Sequence, residues 1–441
     1  MSRIPVYVIN LKEREDRLLH IRSQFKNKDE FDITFVIAVM HRVGAIGLWQ
    51  NIIECVKMGI EKKYDFIIIC EDDHTFTSAY TFENFQKAIS EAIERDADIL
   101  CGGPSWFEDA FPVSEHLFWV KKFSGLQFTI VFKRLYHTIL NADFNAHDAA
   151  DYKFSNLASN KYFIHPIIST QKEFGYSDVT AINDQANRVE QLFRITEDNT
   201  KIIKNIFEFY QNLQALLTNE LVDFETITIP TYVINLSQRI DRRAHVIGQF
   251  AGRDEFDMKI IEACRHNIGA VGLWQSIRRI IQMALDNDDD VIIICEDDHE
   301  FTSDYCKEYL LQNIIEAHMQ GCDILNGGVS GFDYILPITV NRYWVGHFWS
   351  TQFIVVYRKF FNTILNEVYN DDVTADDKLS EMTNNKMLLY PFISVQKDFN
   401  YSDVTAKNNT QNGHVDSLFR NSAKRLMQYV TSYKKYSKLK L

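Results

Sequence analysis

The chain has 441 residues, of which 46% are apolar and 24% charged, and it carries a formal charge of −13. This composition excludes a disordered chain, and the acidic balance excludes an unspecific hold on nucleic acid, which needs Lys and Arg to displace phosphate counterions. Residues 1 to 20 contain no apolar stretch of signal-peptide type, and no run of roughly eighteen apolar residues occurs anywhere, so the expectation is a cytoplasmic protein without a membrane span.

Val6 to Leu11 is short, β-branched and continuous, the pattern of a strand covered on both faces. A charged segment with helical spacing follows from Arg14 to Phe25, then a second strand near Asp32 to Val39. Gly44-Ala-Ile-Gly47 breaks the chain before a helix from Leu48 to Glu61, whose Trp49, Ile52, Ile53, Val56 and Ile60 share one face. Phe66 to Cys70 is the clearest buried strand, and Glu71, Asp72 and Asp73 stand at its carboxyl end. A helix from Thr81 to Arg95 leads to a strand, Asp98 to Cys101, and a Gly102-Gly103 turn. Strands alternating with helices predict an α/β fold with a mostly parallel sheet, in which ligands sit at the carboxyl ends of the strands. Asn199 to Leu221 carries apolar residues at helical intervals and reads as a helix that hands over to a second strand system near Pro230.

That second system repeats the first. Tyr7-Val-Ile-Asn-Leu recurs at Tyr232, and Ile-Ile-Ile-Cys-Glu-Asp-Asp-His ends at His74 and again at His299; both offsets are 225, since 232 − 7 = 225 and 299 − 74 = 225. Between these landmarks about half the positions match, which marks a tandem duplication of a whole domain. The register continues through Gly102-Gly103 and Gly327-Gly328, Gln127-Phe128 and Gln352-Phe353, and Tyr176 to Thr180 with Tyr401 to Thr405. Two domains are expected, 1–225 and 226–441, each large enough for its own core. The second ends in a Lys-rich segment, Lys424 to Leu441, with Tyr429, Tyr433, Tyr436 and Leu439 interleaved. It reads either as a solvated terminal helix or as a peripheral contact with an anionic membrane surface. The seven cysteines show no CxxC pair and are expected to be reduced structural thiols.

Three acidic residues leaving a buried strand repel one another unless something offsets their charge. A divalent cation with oxygen ligands, Mn²⁺ or Mg²⁺, does so, and Glu-x-Asp can hold a metal that bridges a nucleotide diphosphate. The competing reading is that these carboxylates cap the next helix, with Thr75 to Ser78 as the cap region.

The opening Tyr-Val-Ile-Asn-Leu-x-x-Arg-x-Asp-Arg, a Gly-containing turn before a Trp-bearing helix, and Glu-Asp-Asp after an aliphatic strand together resemble glycosyltransferase family 25. That family includes bacterial lipopolysaccharide glycosyltransferases and collagen galactosyltransferases. The resemblance implies two tandem GT-A-like domains and inverting, metal-dependent transfer from a nucleotide-sugar donor, usually a UDP-sugar, to a saccharide or other acceptor. It implies Glu71, Asp73, Glu296 and Asp298 as metal ligands, and Asn10, Arg14, Arg17, Asp72, Asn235, Arg239, Arg242 and Asp297 near the nucleotide. Arg14 reads equally as half of a helix-surface ion pair. Asp151 and Asp376, in Asp-x-x-Phe and Asp-x-x-Leu, resemble the family's later Asp-x-x-Leu element and are candidate bases. Asp178 and Asp403, in the shared Tyr-Ser-Asp-Val-Thr, compete for that role, could complete the metal site, or belong to a turn. Trp106 and Phe107, with Phe332 and Tyr334, follow the Gly-Gly turns as candidate sugar platforms or as core aromatics. Family members commonly carry a Ser-His pair after the Gly-rich turn, where this chain runs Gly47-Leu-Trp-Gln-Asn51 and Gly272-Leu-Trp-Gln-Ser276. A duplicated saccharide- or nucleotide-binding protein without turnover, or one active domain beside a relic, are the alternatives.

Overall fold

The computed structural model describes residues 3–175, 187–214, 224–368, 373–399 and 413–437. The chain divides into two compact units, the first running to Ile206 and also taking in Tyr436, the second running from Phe207 to Lys435. Each is α/β with its own large sheet, so the duplication seen in the sequence is a duplication of Rossmann-like domains.

In the first unit β1 (Ile4–Asn10), α1 (Glu15–Gln24), β2 (Phe31–Ile37), α2 (Gly44–Glu61) and β3 (Phe66–Glu71) follow the expected alternation. A short β4 (His74–Phe76), α3 (Phe82–Glu94), β5 (Ile99–Cys101), β6 (Trp106–Pro112), β7 (Leu117–Ser124) and β8 (Phe128–Phe132) come next. The unit continues with α4 (Lys133–Leu140), α5 (Ala150–Leu157), β9 (Lys161–Ile164) and β10 (Ser169–Gln171), and α6 (Arg188–Gln214) carries the division between the units. The helix expected from Asn199 thus begins earlier, at Arg188.

The main sheet has the order β2-β1-β3-β8-β5-β9-β7-β6. β8 pairs antiparallel with both β3 and β5, and β7 antiparallel with both β9 and β6, so six of the eight strands share one direction. Ile67 to Cys70 are buried because β3 lies at the centre of this sheet, and that is why its sequence is uninterrupted aliphatic. At β2, the edge, burial lapses and Ile37 is exposed.

The second unit repeats the plan with β11 (Ile229–Asn235), α7 (Ile240–Phe250), β12 (Phe256–Glu262), α8 (Gly269–Asp286), β13 (Val291–Glu296), β14 (His299–Phe301), α9 (Lys307–Met319) and β15 (Ile324–Asn326). Then come β16 (Gly331–Phe332), β17 (Ile335–Pro337), β18 (Arg342–Val345), β19 (Phe348–Trp349), β20 (Phe353–Tyr357), α10 (Arg358–Asn366), α11 (Ala375–Glu381), β21 (Lys386–Leu389), β22 (Ser394–Gln396) and α12 (His414–Tyr436). Its sheet runs β12-β11-β13-β20-β15-β21-β18-β17, the same order position for position.

Several shared motifs are explained by packing alone. A Cβ on Gly103 would lie 2.3 Å from the carbonyl oxygen of Ser169, and one on Gly328 2.1 Å from that of Ser394, so the Gly-Gly turn exists to admit a neighbouring backbone. Gln127 Nε2 donates to Gly103 O at 2.6 Å and Gln352 Nε2 to Gly328 O at 2.9 Å, locking the same approach. Trp49 is buried and stacks on Phe144 at 4.9 Å, while Phe107 and Phe332 are buried too, so none of these three is a sugar platform. Of the interleaved residues of the basic tail, Tyr429 and Tyr433 are buried on α12, Tyr436 is half-buried and Leu439 lies outside the described residues. Among the described residues no helix is long and apolar enough to cross a membrane. All the cysteines are free, and burial pushes Cys70 and Cys295 well above the usual thiol range, as expected of structural thiols.

Candidate functional site

The acidic motif forms the two-residue turn between β3 and β4, at the carboxyl end of the central strand. The helix-capping alternative fails: α3 starts at Phe82, and its N-cap is Thr81, whose hydroxyl accepts from Asn84 N at 3.2 Å. Ile9 pairs with Glu71, which brings the end of β1 alongside the turn. From there Asn10 Nδ2 donates to Asp72 Oδ2 at 2.9 Å, and Arg17 Nη1, one turn into α1, reaches Asp72 Oδ1 at 3.0 Å and Asp73 Oδ2 at 3.3 Å. The second unit repeats this with Asn235 to Asp297 at 2.8 Å, and Arg242 to Asp297 at 3.1 Å and to Asp298 at 2.7 Å.

These contacts divide the predicted residues by role. Asn10, Arg17 and Asp72 are buried and bonded to one another, as are Asn235, Arg242 and Asp297, so each trio fixes its turn. Arg14 stands at the start of α1 and lines the cleft in front of the turn. Arg239, its counterpart, also lies 3.8 Å from Asp297. Arg17 lies over the Phe174 ring at 4.7 Å and Arg242 over Phe399 at 4.9 Å, which fixes each guanidinium from its other face.

The first-unit cleft has a volume of about 710 Å³ and is lined by the acidic Glu71, Asp72, Asp73 and Asp151 and by the basic Arg14 and Lys172; Lys172 N donates to Asp73 O at 2.8 Å. Burial, then the neighbouring Asp73 and Asp72, hold Glu71 well above the ordinary carboxylate range. Burial and Asp72 raise Asp73 to about 6, against the pull of Arg17. Asp73 Oδ1 is buried and has no hydrogen-bond partner among the described residues. Asp298 Oδ1 is in the same condition, although Gln396 Nε2 donates to Oδ2 at 2.9 Å. Glu296 is raised to about 8, first by burial and then by Asp298, and it accepts from Thr351 Oγ1 at 2.7 Å. The first unit has Leu126 where the second has Thr351, since 351 − 225 = 126, and among the described residues no donor reaches the Glu71 carboxylate. The second cleft is smaller, about 430 Å³.

Asp151 and Asp376 stand in the first turns of α5 and α11 and face the acidic turn, each raising the pKa of the glutamate there. Asp151 is itself raised by burial, while the backbone N–H groups of Tyr152 and Gly125 donate to it. Asp376 Oδ2 accepts from Ser350 N at 2.8 Å. Gly125 and Ser350 are equivalent, and both have left-handed backbone, φ 102° and 101°; only the glycine holds it without strain. Asp178 and Asp403 lie outside the described residues.

His74 and His299, which close the acidic tetrads, are core residues. His74 Nδ1 shares a hydrogen bond with Ser169 Oγ at 2.8 Å, and burial among aromatic rings drives its pKa down, so it stays neutral. Among the described residues no group of three or more His, Cys, Asp or Glu side chains forms a metal-binding cluster. Any cation here would therefore take one or two carboxylates and complete its shell with ligand oxygens, a mode that suits Mg²⁺.

Sequence reasoning missed Gln396, Thr351, Lys172 and the Gly125 or Ser350 position. The signal for two of them was present: Gln171-Lys172 and Gln396-Lys397 are a repeated pair at the 225 offset.

No protein-family model and no curated protein matches the chain. Among solved structures it is similar to A197 from STIV, at 15% identity and a TM-score of 0.29, over 39% of this chain and 86% of that one. It is also similar to an apo UDP-glucose pyrophosphorylase, at 8% identity and a TM-score of 0.25, over 44% of this chain and 82% of that one. Neither likeness bears on activity. The class that fold and site define is an α/β protein of two tandem Rossmann-like domains, each with a buried acidic turn at the carboxyl end of its central strand.

Proposed function

We propose that the protein is a glycosyltransferase of the kind glycosyltransferase family 25 exemplifies, with GT-A-like domains, using a nucleotide sugar such as a UDP-sugar and Mn²⁺ or Mg²⁺. The observation that carries this is the first-unit acidic turn: carboxylates with raised pKa, and an orphaned Asp73 oxygen, on a cleft that Arg14 and Lys172 also line. Buried like charges of this kind are relieved by a cation, and cationic side chains on the same cleft suit a diphosphate. Glu71 and Asp73, or Glu296 and Asp298, would hold the ion, which would supply charge neutralisation at the leaving diphosphate.

The protein's own part is positional and acid–base. Asn10 and Arg17 hold the acidic turn in place. Asp151 takes the proton of the acceptor hydroxyl as its oxygen bonds to the anomeric carbon, and the carbon–phosphate oxygen bond breaks with its electron pair leaving on the diphosphate. The acceptor is a saccharide or other hydroxyl compound.

The test is UDP release from a panel of UDP-sugars, with and without Mn²⁺, for the wild type and for Asp73→Ala and Asp298→Ala. Metal-dependent release that falls in each variant supports two sites. Binding without release in any condition would refute transfer and favour a duplicated binding protein. A second reading, one working domain beside a relic, is favoured by Thr351, which satisfies Glu296 where Leu126 leaves Glu71 bare. It predicts loss of all release in Asp73→Ala and none in Asp298→Ala.

A further inference from the structure

Beside each candidate base the two units present the same side chain from opposite strands. In the first unit Trp106 on β6 faces Ser124 on β7. At the equivalent positions of the second unit, 106 + 225 = 331 and 124 + 225 = 349, Gly331 on β16 faces Trp349 on β19. Opposed residues of an antiparallel pair project from the same face, so the indole has changed strands while keeping its face. The exchange is sterically required: a Cβ on Gly331 would lie 2.9 Å from the Trp349 ring.

Both indoles also touch the residue that follows the base. Trp106 meets Tyr152 edge-on at 6.3 Å between centroids, next to Asp151. Trp349 Nε1 donates at 2.9 Å to Asp377 Oδ1, next to Asp376, and 377 − 225 = 152. Core packing does not account for them, because Trp106 is 39% and Trp349 36% exposed, whereas Trp49, Trp119, Trp274 and Trp344 are all buried. Ser124, the cross-strand partner of Trp106, lines the cleft together with Asp151 and Tyr152.

We propose that Trp106 and Trp349 are saccharide platforms, each seating a sugar ring beside Asp151 or Asp376; the assignment of that sugar as the acceptor rests on the transferase reading. The C–H face of a pyranose is apolar and a half-exposed indole offers it a flat surface that removes it from water, while the ring hydroxyls stay at the rim. The rims differ. Lys122 lies 4.6 Å from the Tyr152 ring in the first unit, and His347 Nε2 lies 2.9 Å from Asp377 in the second. With the indole entering from different strands and different polar neighbours, the two platforms select different sugars.

Only these two of the six tryptophans reach solvent, so collisional quenching of intrinsic fluorescence reads the proposed sites directly. The full chain is titrated with free glucose, galactose, N-acetylglucosamine and lactose, with iodide as quencher and no donor or metal. At least one sugar is expected to protect the wild type. Trp106→Ala is expected to abolish protection by one sugar and Trp349→Ala by another, and calorimetric sugar binding, which needs no indole reporter, is expected to be lost in each Ala variant and partly kept in Trp106→Phe and Trp349→Phe. In the transfer assay each Ala variant should raise the acceptor KM about tenfold. Absence of protection by every sugar, or protection that persists in the double Ala variant, would overturn the proposal. Protection without UDP release from any donor would refute the transferase reading and leave the platforms standing.

Discussion

Replacing Asp73 by Asn should stabilise the metal-free protein at neutral pH and abolish its response to metal. Asp73 is held at about 6 against an ordinary 3.8, a difference of 2.2, so ionising it in the folded state costs about 3 kcal/mol. Below the ordinary value both states are protonated and the cost is absent; it develops as pH rises from about 4 to about 6, because the unfolded chain ionises first, and is complete above that. The amide also gives up the 3.3 Å contact with Arg17, which keeps its 3.0 Å partner Asp72, so about 1 kcal/mol is returned. A net gain of about 2 kcal/mol in a domain of about 200 residues raises Tm by about 4–8 °C. Thermal unfolding near neutral pH and near pH 4, with and without millimolar Mn²⁺, measures it. The wild type should be stabilised by the ion and the variant should not. A variant that melts at or below the wild type near neutral pH, or that keeps the full Mn²⁺ response, refutes the reasoning.

Arg242→Met should be strongly destabilising, because it takes from buried Asp298 its cationic partner and from buried Asp297 the nearer of two arginines; a loss of about 3–5 kcal/mol is expected in chemical denaturation. Asp151→Asn should lower kcat about 10²–10⁴-fold with the donor KM unchanged, as measured by initial rates with saturating acceptor. Ser350→Gly should relieve its left-handed backbone at φ 101° and raise stability by about 1 kcal/mol, less the 2.7 Å hydroxyl contact with Ser330; calorimetry reads the difference.

Much of the site was legible because the chain is written twice. The acidic turn, the Asn on the first strand and the Arg one helical turn later stand at the same offset in both halves, and the structure brings all three together around Asp72 and Asp297. Repetition alone did not separate function from packing. Gly-Gly, Gln-Phe and the tetrad histidines recur just as faithfully, and they serve close backbone approach and the aromatic core. The tail tyrosines were open for a related reason: a helical spacing of aromatics has one apolar face, and that the face of Tyr429 and Tyr433 is buried is not written locally.

By itself the sequence determined the two-domain plan, the α/β class, the central aliphatic strands and the acidic groups at their ends, because these follow from local periodicity and from repetition. The tertiary structure alone decided which carboxylates are bare and which are paired, since that depends on groups 55 to 98 residues apart meeting at one strand end. It also decided that the exposed tryptophan lies on β6 in one unit and β19 in the other, because a cross-strand pair exists only once the sheet has formed.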